Sequence, residues 1–282
     1  MDHLVTANPS FVPASGVDTE HRVITARRVR FTDDGPLIRA HSCADRVVIE
    51  HCVSPARISD DVIVQGLVAL ADAHVIAGRD EFERAFVAIA ESCGVPADSA
   101  WRSFYRNSVV ELRSGRASFS PVHLRARSLL RGTSVLEVGS CFGFLAIQCA
   151  QDGYRVAATD LDPVAVEFLN TAAGDFGVSI ATSCGDARAL PHPSDSVDTV
   201  TLIHLLEHLD AHDVALAIGE AVRVARRRVV IAVPYEDVPS PHFGHLQVLT
   251  EADLREWAAP WTGIHDVTFL TDHGGWIVVD LH

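Results

Sequence analysis

Glu137-Val-Gly139-Ser-Cys-Phe-Gly143-Phe144 joins a strand-like run, Val135-Leu-Glu-Val138, to a helical stretch from Phe144 to Asp152. Two glycines therefore leave a strand and enter a helix. Gly139 allows a sharp turn and close approach of the backbone to a ligand, and Gly143 allows tight packing of the helix. The spacing is E-x-G-x-x-x-G, which differs from the dinucleotide fingerprint G-x-G-x-x-G. Read outward from this turn, strands and helices alternate. Tyr154 to Thr159 is a strand, Pro163 to Phe176 a helix, Val178 to Thr182 a short strand and Thr199 to Ile203 a buried strand. His212 to Ala225 is a helix and Val229 to Val233 another buried strand; two strands then flank Asp272-His-Gly-Gly275. Such alternation predicts an α/β fold, a doubly wound, mostly parallel sheet with helices on both faces and one antiparallel strand from the terminal hairpin.

Polar residues recur where these strands end. Asp160-Leu161-Asp162-Pro163 closes the second strand about twenty residues after the glycine turn. An acid there accepts hydrogen bonds from both hydroxyls of a ribose; it also suits a helix cap before a proline. Asp160 is assigned to the ribose and Asp162 to the cap. Gly185-Asp186-Ala187 follows the third strand, where an Asp takes an adenine amino group and the next backbone N–H meets a ring nitrogen. The fourth strand runs into His204-Leu-Leu-Glu207-His208, facing the crevice in which such sheets bind ligands.

The remainder of the chain narrows the choice. Its 282 residues suffice for one large α/β domain or two small ones, and the net charge of −14 disfavours nucleic acid or an anionic membrane as partner. Every basic residue is Arg, and no C-x-x-C pair occurs among the six cysteines, which reads as free thiols in a reducing compartment. No secretory leader and no membrane-length apolar run is seen, so a cytoplasmic, soluble protein is expected. Residues 1–20, with Pro9, Pro13 and Gly16, read as a flexible arm. Arg22 to Phe31 and Arg46 to Val53, parted by Asp33-Asp-Gly-Pro36, predict a small antiparallel sheet. Residues 59 to 113 read as helices, with Phe82, Phe86, Trp101, Phe104 and Tyr105 at core spacing. The domains are thus expected as 21–116, an α+β accessory module that selects substrate, and 117–282, with the join at Gly115 to Pro121.

From Pro121 onward the residues are similar to those of class I S-adenosylmethionine-dependent methyltransferases. Glu137, Gly139 and Gly143 match that family's glycine motif, Asp160 its ribose acid and Asp186 its adenine contact. The resemblance implies a seven-stranded, Rossmann-like sheet with the last strand antiparallel, and S-adenosyl-L-methionine as cofactor. Ser140, Leu161, Ala187 and His204 complete the cofactor-binding set that it implies. A narrower resemblance spans most of the chain. Trp101-Arg-Ser-Phe-Tyr-Arg-Asn107, His204 to Leu209, Ala232-Val-Pro-Tyr-Glu-Asp237, Gly244-His245-Leu and His273-Gly-Gly-Trp276 resemble the mycofactocin oligosaccharide methyltransferases of actinobacteria. The acceptor it implies is a sugar hydroxyl on the glucose chain of a glycosylated small molecule.

A sugar hydroxyl is a weak nucleophile and must shed its proton, so a positioned base is expected, and histidine is the natural one near neutral pH. His204, His208, His242 and His245 are the crevice candidates. His245, on the loop after the fifth strand, is assigned as base, with Glu207 or His208 orienting substrate. His204, Glu207 and His208 stand at i, i+3, i+4, which a helix would place on one face, and Glu236, Asp237 and His242 could add ligands. That leaves a divalent ion open, although no metal is assigned. Methylation of a quinone, a lipid or another small acceptor is the alternative function, and a catalytically dead binding subunit is disfavoured by the intact turn with Asp160 and Asp186.

Overall fold

A computed structural model describes residues 22–43 and 45–282; the arm expected over residues 1–20 lies outside the described residues. The first sheet contains β1 (Val23–Arg28), β2 (Ile38–Cys43) and β3 (Arg46–His51) in the order β1-β3-β2. It is mixed, which corrects the expected antiparallel pair: β1 runs parallel to β3, and β2 antiparallel to it. The chain reverses twice between β1 and β3, so these two point the same way and pair in parallel once β3 takes the centre. The extra strand, β2, reads Ile-Arg-Ala-His-Ser-Cys and is half exposed, so it lacks the β-branched run that announces its neighbours.

Three helices follow: α1 (Asp60–Asp72), α2 (Gly78–Glu91) and α3 (Ala97–Ser114). The Ser59 hydroxyl caps α1 by accepting from the Val62 amide at 3.3 Å, and Gly115 ends α3 in the left-handed region. Ile63, Leu67, Phe86, Ile89, Phe104 and Val109 recur at helical spacing and are buried. A short helix, α4 (Ser120–Ser128), begins at the end of the expected join, Gly115 to Pro121, and leads into the second sheet.

The second sheet has seven strands: β4 (Ser134–Val138), β5 (Arg155–Asp160), β6 (Ile180–Cys184), β7 (Val197–Ile203), β8 (Ala225–Val233), β9 (Asp266–Thr271) and β10 (Gly275–Asp280). Their order is β6-β5-β4-β7-β8-β10-β9. The strands β6, β5, β4, β7 and β8 are mutually parallel, and β10 enters antiparallel to both β8 and β9. Helices α5 (Phe144–Gln151), α6 (Pro163–Asp175) and α7 (Ala211–Val224) link the parallel strands, and α8 (Glu251–Ala258) precedes the hairpin. Strands β4 and β7 are buried along nearly their whole length because both faces of a parallel sheet are covered.

One apolar core lies between α7, α8 and one face of the large sheet. The other runs without a break from the small sheet through α1–α3 to α5 and α6. Its centre is aromatic: Phe104 lies edge-on to Phe142 at 5.1 Å between ring centroids, and Trp101 meets Phe168 at 4.8 Å. The aromatics of the helical segment are therefore core residues, as their spacing predicts.

Candidate functional site

The first chemistry-bearing turn is built around two left-handed glycines. Gly139 has φ +71°, and a β-carbon there would meet Leu205 Cδ1 at 2.7 Å; Gly143 has φ +69° and packs on Leu169. Cys141 between them also has positive φ, +47°, a strained conformation for a residue with a side chain. Glu137 lies behind the turn. Its Oε2 accepts from the Ala146 amide at 2.8 Å, bracing the turn against α5, and burial pushes its carboxyl up to about 8. The Ser140 hydroxyl is buried and has no partner among the described residues.

Asp160 closes this turn from the next strand. Its Oδ2 accepts from the Cys141 amide at 2.7 Å and its Oδ1 from the Asp162 amide at 3.0 Å. A carboxylate offers about four lone-pair sites, so two stay available for a ribose. Asp162 Oδ1 accepts from the Val164 amide at 2.8 Å, the helix cap expected of it. Leu161, 69% exposed, presents an apolar face beside Asp160. Asp186 is more heavily engaged than its sequence context suggests. Arg188 donates to it from Nη2 at 2.6 Å, from Nε and from its own amide, and these bonds hold the carboxyl below its usual range. An adenine amino group reaches Asp186 only by sharing it with Arg188. Ala187 follows it, half-buried.

The second cluster forms where β7 and β8 end. His204 has φ +53°, and its amide donates to the Ala232 carbonyl at 2.9 Å. Its ring lies edge-on to Phe119 at 4.7 Å, burial lowers it to about 4, and Nε2 has no partner among the described residues. The segment after it is one 3-10 turn, Leu206–His208, in place of the helix that would have put His204, Glu207 and His208 on one face. Hydrogen bonds tie this turn and the residue after it to the loop after β8: the Leu246 amide donates to the Glu207 carbonyl at 3.0 Å and Gln247 Nε2 to the Leu209 carbonyl at 3.2 Å.

That tie brings His245 to Glu207. Glu207 is 1% exposed, both its carboxylate oxygens lack a hydrogen-bond partner among the described residues, and burial pushes it up to about 8. Its Oε1 stands 3.4 Å from His204 Nδ1 and 4.0 Å from His245 Nε2. His245 Nδ1 lies 2.7 Å from Glu236 Oε2. A carboxylate can only accept, so Nδ1 carries the proton and Nε2 is left facing Glu207. Burial pushes Glu236 up, but the hydrogen bonds from His245 and Ser240 outweigh it and hold the carboxyl low. His208 approaches the Gly244 carbonyl with Nδ1 at 3.3 Å, and its ring meets that of His245 at 5.0 Å.

The structure thus groups Glu207, His208 and His245, with one ligating atom from each within 4.8 Å of the others. Glu236 stands behind His245, a pairing nine residues apart on a loop that carries no periodic signal. His242 is drawn off to stack on Phe82 of α2 at 5.4 Å, and Phe243 meets the same ring edge-on. The helical segment therefore holds the loop that carries His245. In the terminal turn, Trp276 is buried and donates from Nε1 to the Asp272 carbonyl at 2.8 Å, a structural role.

Residues 136–233 match the family model described as a methyltransferase domain. An uncharacterized protein of Mycobacterium tuberculosis is 31% identical over 117 residues, which are 42% of this chain and 42% of that protein; a Mycobacterium bovis protein matches equally. The chain spans less than half the length of these curated relatives. Among solved structures, a putative S-adenosyl-L-methionine-dependent methyltransferase of Methanococcus maripaludis is 15% identical, with a TM-score of 0.49, covering 64% of this chain and 93% of that one. The magnesium protoporphyrin IX methyltransferase of Synechocystis, solved with bound SAH, is 17% identical, with a TM-score of 0.46, covering 67% and 89%. The matched segment and the strand order around it together give the chain the Rossmann-like class I methyltransferase fold.

Proposed function

We propose that this chain is an S-adenosylmethionine-dependent O-methyltransferase acting on a sugar hydroxyl of a glycosylated small molecule. The glucose chain of mycofactocin is the acceptor that the sequence resemblance implies. The observation that carries the reading is that two unlike clusters stand at the same ends of neighbouring parallel strands, β5-β4-β7-β8. A glycine turn with Asp160, Leu161 and the unpartnered Ser140 hydroxyl lies at the ends of β4 and β5, and the Glu207–His208–His245 cluster at the ends of β7 and β8. The first suits a nucleoside. Gly139 leaves the backbone bare, Asp160 keeps lone pairs for ribose hydroxyls, and Leu161 offers an apolar face for a base. Glu137 positions the turn from behind.

S-adenosylmethionine, held by the glycine turn and Asp160, would supply a methyl group already activated on a sulfonium centre. The protein's part is to hold the acceptor oxygen in line and take its proton. His245 Nε2 takes that proton in this reading, because Glu236 fixes Nδ1 as the donor and so leaves the Nε2 lone pair free. Glu207 and His208 orient the hydroxyl. Residues 21–116 form the substrate-selecting module within a division at 116/117, and α2 of that module holds the His245 loop through Phe82.

The test is methyl transfer from isotope-labelled S-adenosylmethionine to a protein-free small-molecule extract, read by mass spectrometry. One labelled methyl on a hexose-bearing species is the expected result. Label only on a quinone or lipid would overturn the sugar acceptor.

A further inference from the structure

We propose that Glu207, His208 and His245 form a binding site for one divalent transition-metal cation of the Zn²⁺ type. One ligating atom from each residue lies within 4.8 Å of the others, and His245 Nε2 is 4.0 Å from Glu207 Oε1. Ligands around a tetrahedral zinc stand roughly 3.3 Å apart, given bonds of about 2.0–2.1 Å, so a small inward movement of the side chains closes the set.

Two further observations point to a cation. The Glu207 side chain is 1% exposed and neither oxygen has a hydrogen-bond partner among the described residues. A carboxylate so placed is costly unless a positive charge joins it. Both imidazoles, moreover, have one nitrogen anchored from behind and the other free. His245 Nδ1 donates to Glu236 and His208 Nδ1 donates to the Gly244 carbonyl, which leaves both Nε2 lone pairs available. A carboxylate or carbonyl behind Nδ1 is the usual support of a metal-bound histidine, and Glu236 and Gly244 supply one of each. Two histidines and one carboxylate with open positions are a catalytic donor set for zinc.

An ion held there has positions left for a hydroxyl of the acceptor. The binding claim stands independently of the methyltransferase reading; only the ion's part in turnover rests on it. In the loaded site His245 Nε2 would be a ligand and would not take the proton; the ion would lower the hydroxyl's pKa so that water could carry the proton away, whereas in the ion-free chain Nε2 takes it directly.

The experiment uses the full chain, stripped with chelator and titrated with Zn²⁺ by calorimetry, and with Co²⁺ by visible absorption. About one equivalent is expected, with Co²⁺ d–d bands of a low-coordinate nitrogen and oxygen site. Glu207→Gln and His208→Ala should each weaken binding at least about tenfold, and Glu236→Gln about 10–100-fold. His212→Ala, exposed on α7 and outside the cluster, should bind as the parent does. A thermal melt of each variant confirms folding. Stoichiometry far below one, or a folded Glu207→Gln that binds Zn²⁺ as tightly as the parent, would overturn the site. S-adenosylhomocysteine is titrated on the same samples. Zn²⁺ binding without nucleoside binding would sink the methyltransferase reading and leave the metal site standing; the converse would do the reverse.

Discussion

Glu207 and Gly139 show how much of the crevice turns on single atoms. The sequence shows an acid after a buried strand, but not that both its oxygens lack a hydrogen-bond partner among the described residues. If His245 takes the acceptor's proton, His245→Ala should lower kcat about 10²–10⁴-fold at saturating acceptor while binding of S-adenosylhomocysteine holds. Near-normal turnover would contradict the assignment. Gly139→Ala puts a β-carbon at φ +71° against Leu205 and narrows the path of a nucleoside to the backbone. Nucleoside affinity should fall at least about tenfold, with a stability loss of about 1–3 kcal/mol by urea titration. Unchanged affinity would remove Gly139 from the site. The spacing of the glycines made these residues legible. The Arg188 grip on Asp186 was not, because it depends on side-chain geometry two residues away that no periodic pattern encodes.

At the scale of elements, the large sheet is held at its base by Asp198 of β7. Its carboxylate accepts from the amides of Thr133 and Ser134 and from the Ser134 hydroxyl, and these bonds bring it to about 2. Asp198→Ala strands two amides at the start of β4, and a loss of about 2–4 kcal/mol in urea unfolding is expected. A change under about 0.5 kcal/mol would show the clamp to be ornamental. Much of this sheet was legible because β8 and β10 carry apolar, β-branched runs and the glycine and Asp-Pro signals mark the ends of β4 and β5. The small sheet was legible only in part: β2 carries His41, Ser42 and Cys43 where a strand signal would need β-branched residues. Helix α8 went unread: the structure gives it a Thr250–Asp253 capping box, but its short Glu-Ala-Asp-Leu-Arg-Glu-Trp-Ala run has little apolar periodicity.

At the scale of the molecule, the accessory segment and the α5–α6 face of the sheet share one aromatic core. Phe104 is fully buried at their junction, and Phe104→Ala should cost about 3–5 kcal/mol in one cooperative transition. Two separate unfolding transitions would show the halves to be independent. The buried histidines set the acid limit. Burial, with Arg28 adding to it, lowers His51 to about 4; burial, with His204 and Arg127, lowers His123 to about 3. Folding excludes their protonated forms, so their contribution is complete above about pH 6.5 and is lost as pH falls toward 4. At about pH 5 each should cost about 2 kcal/mol, and the urea midpoint should drop accordingly from its value near pH 7.5. The central claim is that the β4–α5 turn and Asp160 hold the nucleoside of a methyl donor. Calorimetric titration of the full chain with S-adenosylhomocysteine tests it most directly. One site per chain, weakened at least about tenfold by Asp160→Ala in a protein that still melts cooperatively, is the predicted result. No binding by the parent chain, or equal binding by the variant, would contradict it.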